Sequence, residues 1–573
     1  MRRGEVWAAY DLARSALKHD DATLEVAHDA VLCLARSGAA DFALSEYMRL
    51  GLNRRPDRAT RALGARLLKD IALRRRSDDG QILALEAAAA YGAVHEDFGG
   101  IHSLVNQAML LLIALRPAQS TEVALKALAS PPPNGAVDDL TRYYDLAARA
   151  EASLILRDVS GAEAFVLAAS QQAPKERAAR ISTLRQLERI ADFLGESSHW
   201  LLPLRAPPVG HYTGHIYCLE PDQSGSAERR LQTLLAQALQ KSGVGVLYGG
   251  LAAGGDILWA EAALAAGVDL HVVLPMNADS YRRTSVAPYG SGWIARHDAC
   301  LAAAASVQFS SLEDNLVDDE TFLYGARYAM GCAAADAELK ATTAVQLVLC
   351  ESGGEDSLTS QDARWWAQTC RPQLKVHALK PGLRRAMPVQ KTAAPPSRTM
   401  RAMLFVDFKG FGRLNDTQTQ VFFGVVMAAL AKTLGRLVVG PQHVETWGDG
   451  VFLVFEEPDA AATAAIAIIE SHAALDLAAH DMPHDLGVRI GGHYGPVHLG
   501  FNPVTGGPSV VGTHVVAAAR IEPDATPGAA YVSEAFAGLL AACHSDKFRC
   551  GYVGRSSGRK ETSLRPLFSL SPR

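Results

Sequence analysis

One change of pattern constrains this 573-residue chain more than any other feature. Up to about residue 200, apolar residues recur at helical spacing with almost no strand signal. Beyond "LRAPPVGHYTGHIYCLEPDQSG" (204–225), short apolar runs alternate with amphipathic ones. A 3.6-residue period and a 2-residue period cannot build one common layer. The chain must therefore join an all-α part to parts that mix sheet and helix. Its length also exceeds what one hydrophobic core supports, so two to four domains are expected.

In the first part (1–200), "HDAVLCLARSGAADFALSEYMRLGL" (28–52) reads as helix, turn, helix. Gly38, Ala39 and Ala43 let the pair pack closely. This predicts tetratricopeptide-like repeat packing, with an ordinary helical bundle as the alternative. "FGGIHSLVNQAMLLLIAL" (98–115) is a further apolar helix, and "SPPPNG" (130–135) is a loop.

In the second part (205–378), "GHIYCLE" is read as a strand, "AERRLQTLLAQALQKSG" as a helix and "VGVLYGG" as a buried strand. "DILWAEAALAAG" and "VDLHVVLP" continue the alternation. That order predicts a parallel α/β sheet of the Rossmann-like kind. "YGGLAAGGD" (248–256) would let backbone N–H groups approach a phosphate at a helix N-terminus. A tight strand-to-helix turn without a ligand is the alternative. "KPGLRRAMPVQKTAAPPSRT" ends a Pro- and Lys/Arg-rich linker at 379–399.

Composition bounds the function classes. Hydrophobic residues are 49% and charged residues 20%, as in soluble globular proteins, and the formal net charge is -5. That charge gives no electrostatic reason for nucleic acid or an anionic membrane as partner. None of the eight Cys forms a CxxC pair, so reduced thiols and a cytoplasmic location are expected. Glu5, Asp11 and Arg14 interrupt the N-terminus, which is not a signal peptide. "AMLLLIAL" (108–115) is far shorter than the roughly 20 residues of a membrane helix.

The third part (400–573) opens with strand "MRAMLFVDFKGF" and helix "TQTQVFFGVVMAALAKTLG". The hairpin "HVETWGDGVFLVF" (443–455) follows. Then come a helix, the strand "DLGVRIGGHYGPVHLG", the helix "GTHVVAAARIE" and the strand "GAAYVSEAF". This predicts an α+β sandwich with helices over one antiparallel sheet. Polar residues interrupt its apolar runs. Glu445, Trp447 and Asp449 share one strand parity, which puts two carboxylates on a half-buried face. Asp407 follows four apolar residues, Arg489 opens a glycine-rich strand, and Arg520 ends a helix. Two carboxylates on neighbouring strands suit Mg²⁺ or Mn²⁺, which take further oxygens from phosphates. Arginines neutralise phosphate by forked hydrogen bonds. His493 and His498 are read as structural, since five-residue spacing on a strand points them to opposite faces.

"GGLAAGGDILWAEAALAAGVDLHVVLPM" and "SVAPYGSGWIARHDACLAAA" resemble the SLOG-type module found beside helical TRAFs-binding regions in bacterial proteins. The helix "FGGIHSLVNQAMLLL" resembles one in those regions. The resemblance implies a sensor or regulatory role, sensing a nucleotide-derived ligand or transmitting a signal, with Gly249, Gly250, Gly254, Gly255, Asp256 and Glu261 as the candidate site.

"FVDFKGF", "VETWGDGVFLVF", "VRIGGHYGPVHLG" and "VGTHVVAAARIE…GAAYVSEAF" resemble, in order and spacing, the catalytic domain of class III nucleotidyl cyclases. The resemblance implies conversion of a nucleoside triphosphate to a 3′,5′-cyclic monophosphate and pyrophosphate. It implies two metal ions on Asp407 and Asp449, triphosphate binding by Arg489, and transition-state stabilisation by Arg520. Arg555, with Lys560 as rival, matches a lysine that holds the terminal phosphates. Glu445 matches the base-reading position, where a carboxylate suits guanine; Ser509 matches the second such position. A homodimer with two shared sites is implied.

Two departures stand out. Val516 replaces an Asn that places the ribose, with Thr513 or His514 as substitutes, and a degenerate binding module is one reading. Trp447 replaces a smaller residue, which would suit a pyrimidine, as in cyclases of bacterial antiphage defence; adenine is a third possibility.

Overall fold

The computed structural model describes residues 3–19, 23–74, 78–133, 135, 137–172, 174, 176–218, 224–311, 318–350, 357–377, 384–385, 398–556 and 565–573. Among the described residues up to Leu194 every regular element is a helix, from Arg3–Ala16 to Arg177–Leu194. Their starts are fixed by local chemistry. Asp57 and Asp138 cap the helices Arg58–Ala72 and Asp139–Ile155 by accepting from Thr60 N at 2.9 Å and Thr141 N at 2.6 Å. Leu104, Val105, Met109, Leu154 and Leu187 form one buried core of this region.

The helical region is not one body apart from the rest. Tyr10, Val31, Leu34, Leu52 and Leu67 belong instead to the core of the C-terminal sheet. Trp7 stacks on Tyr552 at 4.9 Å between ring centroids. The boundary expected near residue 200 therefore does not isolate the first helices: they dock on the last strands of the chain.

The middle part holds β1 (Val209–Gly214), β2 (Tyr217–Cys218), β3 (Val246–Gly249), β4 (Asp269–Leu274), β5 (Ser306–Phe309), β6 (Ala344–Cys350), β7 (Gln373–His377) and β8 (Arg384–Arg385). Six of them form a parallel sheet in the order β5-β4-β3-β1-β6-β7. The expectation of a parallel α/β sheet holds, but its first strand is "VGHYTG", not "GHIYCLE". All of β1 is buried between two neighbours, whereas Tyr217 and Cys218 pair only with β8 in a two-residue ladder. Apart from residues 384–385 and 398–399, the expected linker lies outside the described residues.

The C-terminal part comprises β9 (Arg398–Lys409), β10 (His443–Trp447), β11 (Gly450–Phe455), β12 (Gly487–Asn502), β13 (Gly507–Val511), β14 (Ala529–Ser533), β15 (Phe548–Arg555) and β16 (Pro566–Pro572). The order is β10-β11-β9-β12-β14-β16-β15, with β13 folded back on β12. One pair, β12 with β14, is parallel, so the sheet is not antiparallel throughout. Strand alternation sorts the residues of β9. Leu404, Val406 and Phe408 join the core that includes Ala461, Ala465 and Ile468 of helix Pro458–Ala473; Met403 joins a smaller cluster on the other face.

The middle part docks on this sheet through two facing glycines. A Cβ on Gly331 of helix Asp319–Leu339 would meet Gly538 Cα of helix Glu534–Cys543 at 2.9 Å, so only hydrogen fits at the crossing. Arg398 Nε donates to Asp318 Oδ2 at 2.8 Å across the same junction. Cys33, Cys300, Cys332, Cys350, Cys370, Cys543 and Cys550 are free thiols, and among the described residues no helix is long and apolar enough to cross a membrane.

Candidate active site

The register of the C-terminal sheet gathers the polar residues singled out in the sequence. Arg489 on β12 lies directly opposite Asp407 on β9. On the same face Gly491 lies opposite Phe405, which lies opposite Phe452, which lies opposite Glu445. Trp447 is opposite Gly450, and Gly448 at φ 66° turns the chain so that Asp449 stands at the hairpin tip. One sheet face thus carries Asp407, Arg489, Glu445 and Trp447, with Asp449 at its rim.

Arg489 Nη2 donates to Asp407 Oδ2 at 2.6 Å. The same nitrogen lies 2.8 Å from Glu522 Oε1, an ion pair outside hydrogen-bond alignment. Burial, and then the charge of Asp407, push the Asp449 carboxyl above the usual carboxylate range. The same two causes, in the same order, raise Glu522 to about 7. One guanidinium therefore faces a crowd of carboxylates that repel one another.

Glu522 carried no signal in the sequence. It lies in the short turn Glu522–Asp524, two residues past Arg520. The sign that could have found it is Gly491. A Cβ there would meet Glu522 Cα at 2.8 Å, so the bare backbone of β12 is the floor on which Glu522 rests.

Glu445 accepts or shares a hydrogen bond with His443 Nε2 at 2.9 Å. Trp447 is 51% exposed and leans on Phe405 at 5.8 Å. Arg520 is exposed at the end of helix Thr513–Ala519, and Ser509 sits on β13 opposite Gly500, on the β12–β13 hairpin. Those two are therefore on a different element from the aspartates.

Arg555 does not join the cluster. It ends the outermost strand β15, and its Nε donates to Asp11 Oδ2 of the first helix at 2.9 Å. Four strand spacings separate β15 from β9, roughly 19 Å. Its rival Lys560 lies outside the described residues.

His514 cannot stand in for the ribose-placing Asn. It is buried and bonded through Nδ1 to His493 Nε2 at 2.8 Å, while His493 Nδ1 meets Ser533 Oγ at 2.8 Å. The structural reading of His493 agrees with that chain of contacts. Val516 and Thr513 are exposed on the same helix.

In the middle sheet the glycine loop holds an anion of its own. Asp256 Oδ1 accepts from Gly214 N at 2.9 Å and Oδ2 from Ala252 N at 3.3 Å. Burial raises its carboxyl to about 7. Gly255 is needed because a Cβ would meet Gly214 Cα at 2.6 Å, while Gly249 ends β3 and Gly250 follows it. Gly254 takes φ 94° at the helix start, and Glu261 is held by Arg296 Nε at 2.7 Å.

The adenylate and guanylate cyclase catalytic domain matches residues 396–562. Residues 396–562 are a nucleotidyl cyclase catalytic domain. Solved structures similar to the cyclase domain include a guanylate cyclase domain from Catenaria anguillulae in complex with GTP. It is 20% identical, covers 30% of this chain and 97% of that one, and has a TM-score of 0.27. The adenylyl cyclase CyaB from P. aeruginosa is 18% identical over 30% of this chain and 95% of its own, with a TM-score of 0.26. An adenylate cyclase from Trypanosoma brucei is 18% identical over 31% and 91%, with a TM-score of 0.27. No curated protein matches the chain.

Proposed function

We propose that this chain cyclises a nucleoside triphosphate, GTP in preference, and releases pyrophosphate. The observation that carries the reading is the Asp407–Arg489 pair with Asp449 beside it, on the open face of the cyclase domain. In the reaction a 3′-O–Pα bond forms while the Pα–O bond to the β-phosphate breaks. The hydroxyl proton goes to solvent.

The donor set fits a divalent cation. Among the described residues no group of three or more His, Cys, Asp or Glu is placed to hold an ion by itself. Two carboxylates are, however, what Mg²⁺ ordinarily takes from a protein when phosphates supply the rest. Asp407 and Asp449 would hold Mg²⁺ or Mn²⁺, one or two per site, and a bound ion supplies positive charge against the phosphate oxygens. Arg489 binds the triphosphate tail by charge-assisted hydrogen bonds. Glu445 accepts from guanine N1–H and its exocyclic amine, whereas adenine presents an acceptor at N1 and would leave the carboxylate unpaired.

A second copy of the chain completes the site. Ser509 and Arg520 sit on elements other than those that carry Asp407 and Asp449, and the hairpin that carries Ser509 exposes Leu499, Phe501 and Val504 at 54%, 68% and 92%. Apolar side chains so exposed beside an unfinished site favour a symmetric partner. Arg520, delivered from the partner, stabilises charge on the phosphate under attack.

The test is to mix pure protein with Mn²⁺ and each of ATP, GTP, CTP and UTP, and to measure pyrophosphate and cyclic product. GTP should give the fastest turnover, and Asp407→Ala should abolish it. Product from that variant refutes the metal assignment. Faster turnover of UTP or CTP refutes the reading of Glu445 and points to the half-exposed Trp447 as a pocket-shrinking ring.

A further inference from the structure

A cavity of about 800 Å³ lies where the three parts of the chain meet. Its walls are helices Arg58–Ala72, Asp139–Ile155 and Arg177–Leu194, the end of helix Asp319–Leu339, and helix Glu534–Cys543 with β15 of the cyclase domain. That size is typical of small-molecule sites.

Its charge is opposite to that of the chain as a whole. Arg66, Arg74, Arg185, Arg189, Arg549 and Arg573 line it. With Arg36, Lys69 and Lys340 the lining holds nine Arg and Lys against six carboxylates; of these carboxylates Glu338 pairs with Arg573 at 3.0 Å, and Glu188 with Arg205 outside the lining at 2.6 Å. The guanidinium groups of Arg189 and Arg549 form no ion pair or hydrogen bond with the described residues. Arg66 Nε is buried and meets Asp70 only at 3.5 Å. Arg74 pairs with Asp41 at 3.0 Å and donates to Gly38 O, while its Nε is buried without a hydrogen-bond partner among the described residues. Deeper in the cavity, Lys69 is buried and donates to two neutral oxygens, Asn106 Oδ1 at 2.7 Å and Gln186 Oε1 at 3.0 Å.

The cations crowd one another. Burial, with Arg74 and Arg573 nearby, pushes Arg549 down to about 10. Burial also lowers Arg185 and Arg189. Arg185 donates to the carbonyls of Glu338 and Leu339, so of the arginines named above Arg189 and Arg549 are the ones without an ion-pair or hydrogen-bond partner among the described residues; desolvated cations of that kind beside others are a usual means of holding phosphate.

We propose that this cavity binds a small molecule bearing two or more phosphate groups, at a site separate from the catalytic face and from the glycine loop of the middle sheet. A ligand there touches all three parts of the chain. It reaches the catalytic strand through few steps, because helix Glu534–Cys543 continues β14, whose Ala529 lies opposite Arg489.

The experiment titrates the full chain calorimetrically with inorganic pyrophosphate and with ADP, in EDTA so that metal-dependent binding at Asp407 is suppressed. One site per chain is expected. Affinity should fall at least about tenfold in Arg189→Gln and in Arg549→Gln, and persist in Arg189→Lys and Asp407→Ala. Tighter binding of ADP than of pyrophosphate identifies a nucleotide; equal binding identifies the diphosphate itself as the recognised group. Absence of binding by both probes overturns the proposal, as does binding that survives both Gln substitutions and disappears in Asp407→Ala. Hydrogen exchange on the unmodified chain gives a readout independent of any folding defect. Pyrophosphate should protect 177–194 and 548–555, and protection confined to 398–409 and 487–502 overturns the proposal.

Discussion

Gly491→Ala is the substitution that isolates the floor of the active site. The new Cβ would lie 2.8 Å from Glu522 Cα and 3.0 Å from its Cβ, whereas ordinary contact begins at 3.4 Å. The Glu522 backbone N would lie closer still, so the opposing backbone must retreat by more than about 0.6 Å, or β12 must bow by as much. Either movement shifts Glu522 against Arg489, and Arg489 is what aligns Asp407. Displacements approaching 1 Å in a catalytic constellation cost about 10²-fold in rate. Overpacking of this kind also costs about 1–3 kcal/mol of stability. The assay is pyrophosphate release at saturating GTP and Mn²⁺, run beside thermal unfolding. The expected result is a fall in kcat of about 10–10²-fold at a temperature where the variant is still folded. Turnover equal to that of the unmodified chain would show that Glu522 does not position Arg489.

The shared-site assembly predicts complementation. Asp407→Ala and Arg520→Ala should each be inactive alone. Mixed equally and allowed to exchange, half the dimers carry one intact site of two, so activity should return to about a quarter of normal; no recovery refutes a site built from two chains. Glu445→Lys should invert base preference, with the GTP-to-ATP ratio of kcat/KM falling at least about 10²-fold, because the carboxylate's guanine partners are lost and repelled. Asp256 predicts a pH effect in the middle part. Its folded pKa, about 7, lies above its ordinary 3.8, so the native chain holds the proton more tightly. That contribution is full below about pH 4 and is lost as pH rises through 7, at most about 4 kcal/mol, and Asp256→Asn should flatten the slope of unfolding midpoint against pH.

The parts of the site that were legible in the sequence are those with a local pattern. The hairpin 443–455 shows period-2 alternation around a Gly-Asp-Gly turn, and β10 and β11 form with Trp447 opposite Gly450. Asp407 and Arg489 stood out as charges within apolar strands, and sheet register makes them neighbours. The residues that escaped have no such frame. Glu522 lies in a turn, and only a missing side chain on another strand betrays it. The strand expected over "GAAYVSEAF" ends at Ser533, and Glu534–Phe536 open the helix Glu534–Cys543, whose residues after Glu534 are apolar or Gly and show no polar face. The docking of the first helices on β15 rests on contacts such as Arg555 with Asp11, 544 residues apart, which leave no periodic trace.

Charge balance joins the metal assignment to the arginine assignment. In the chain alone Arg489 is committed to Asp407 and Glu522, and burial together with the remaining repulsion raises the Glu522 carboxyl above the usual carboxylate range. A triphosphate brings several further negative charges to the same face. Arg489 cannot serve both: it turns to phosphate only once another cation meets the aspartates, and repulsion between carboxylate and phosphate then becomes attraction. Nucleotide binding at the catalytic face should therefore weaken at least about 10²-fold when Mn²⁺ is replaced by EDTA. In Asp407→Asn with Asp449→Asn the same swap should change affinity little, since the repelling charges are gone. A fluorescent GTP analogue, titrated into the Arg189→Gln background to silence the central cavity, reads both. Equal affinity with and without Mn²⁺ in the otherwise intact chain would mean that Arg489 is free from the start, and the ion pair with Asp407 would have no part in substrate binding.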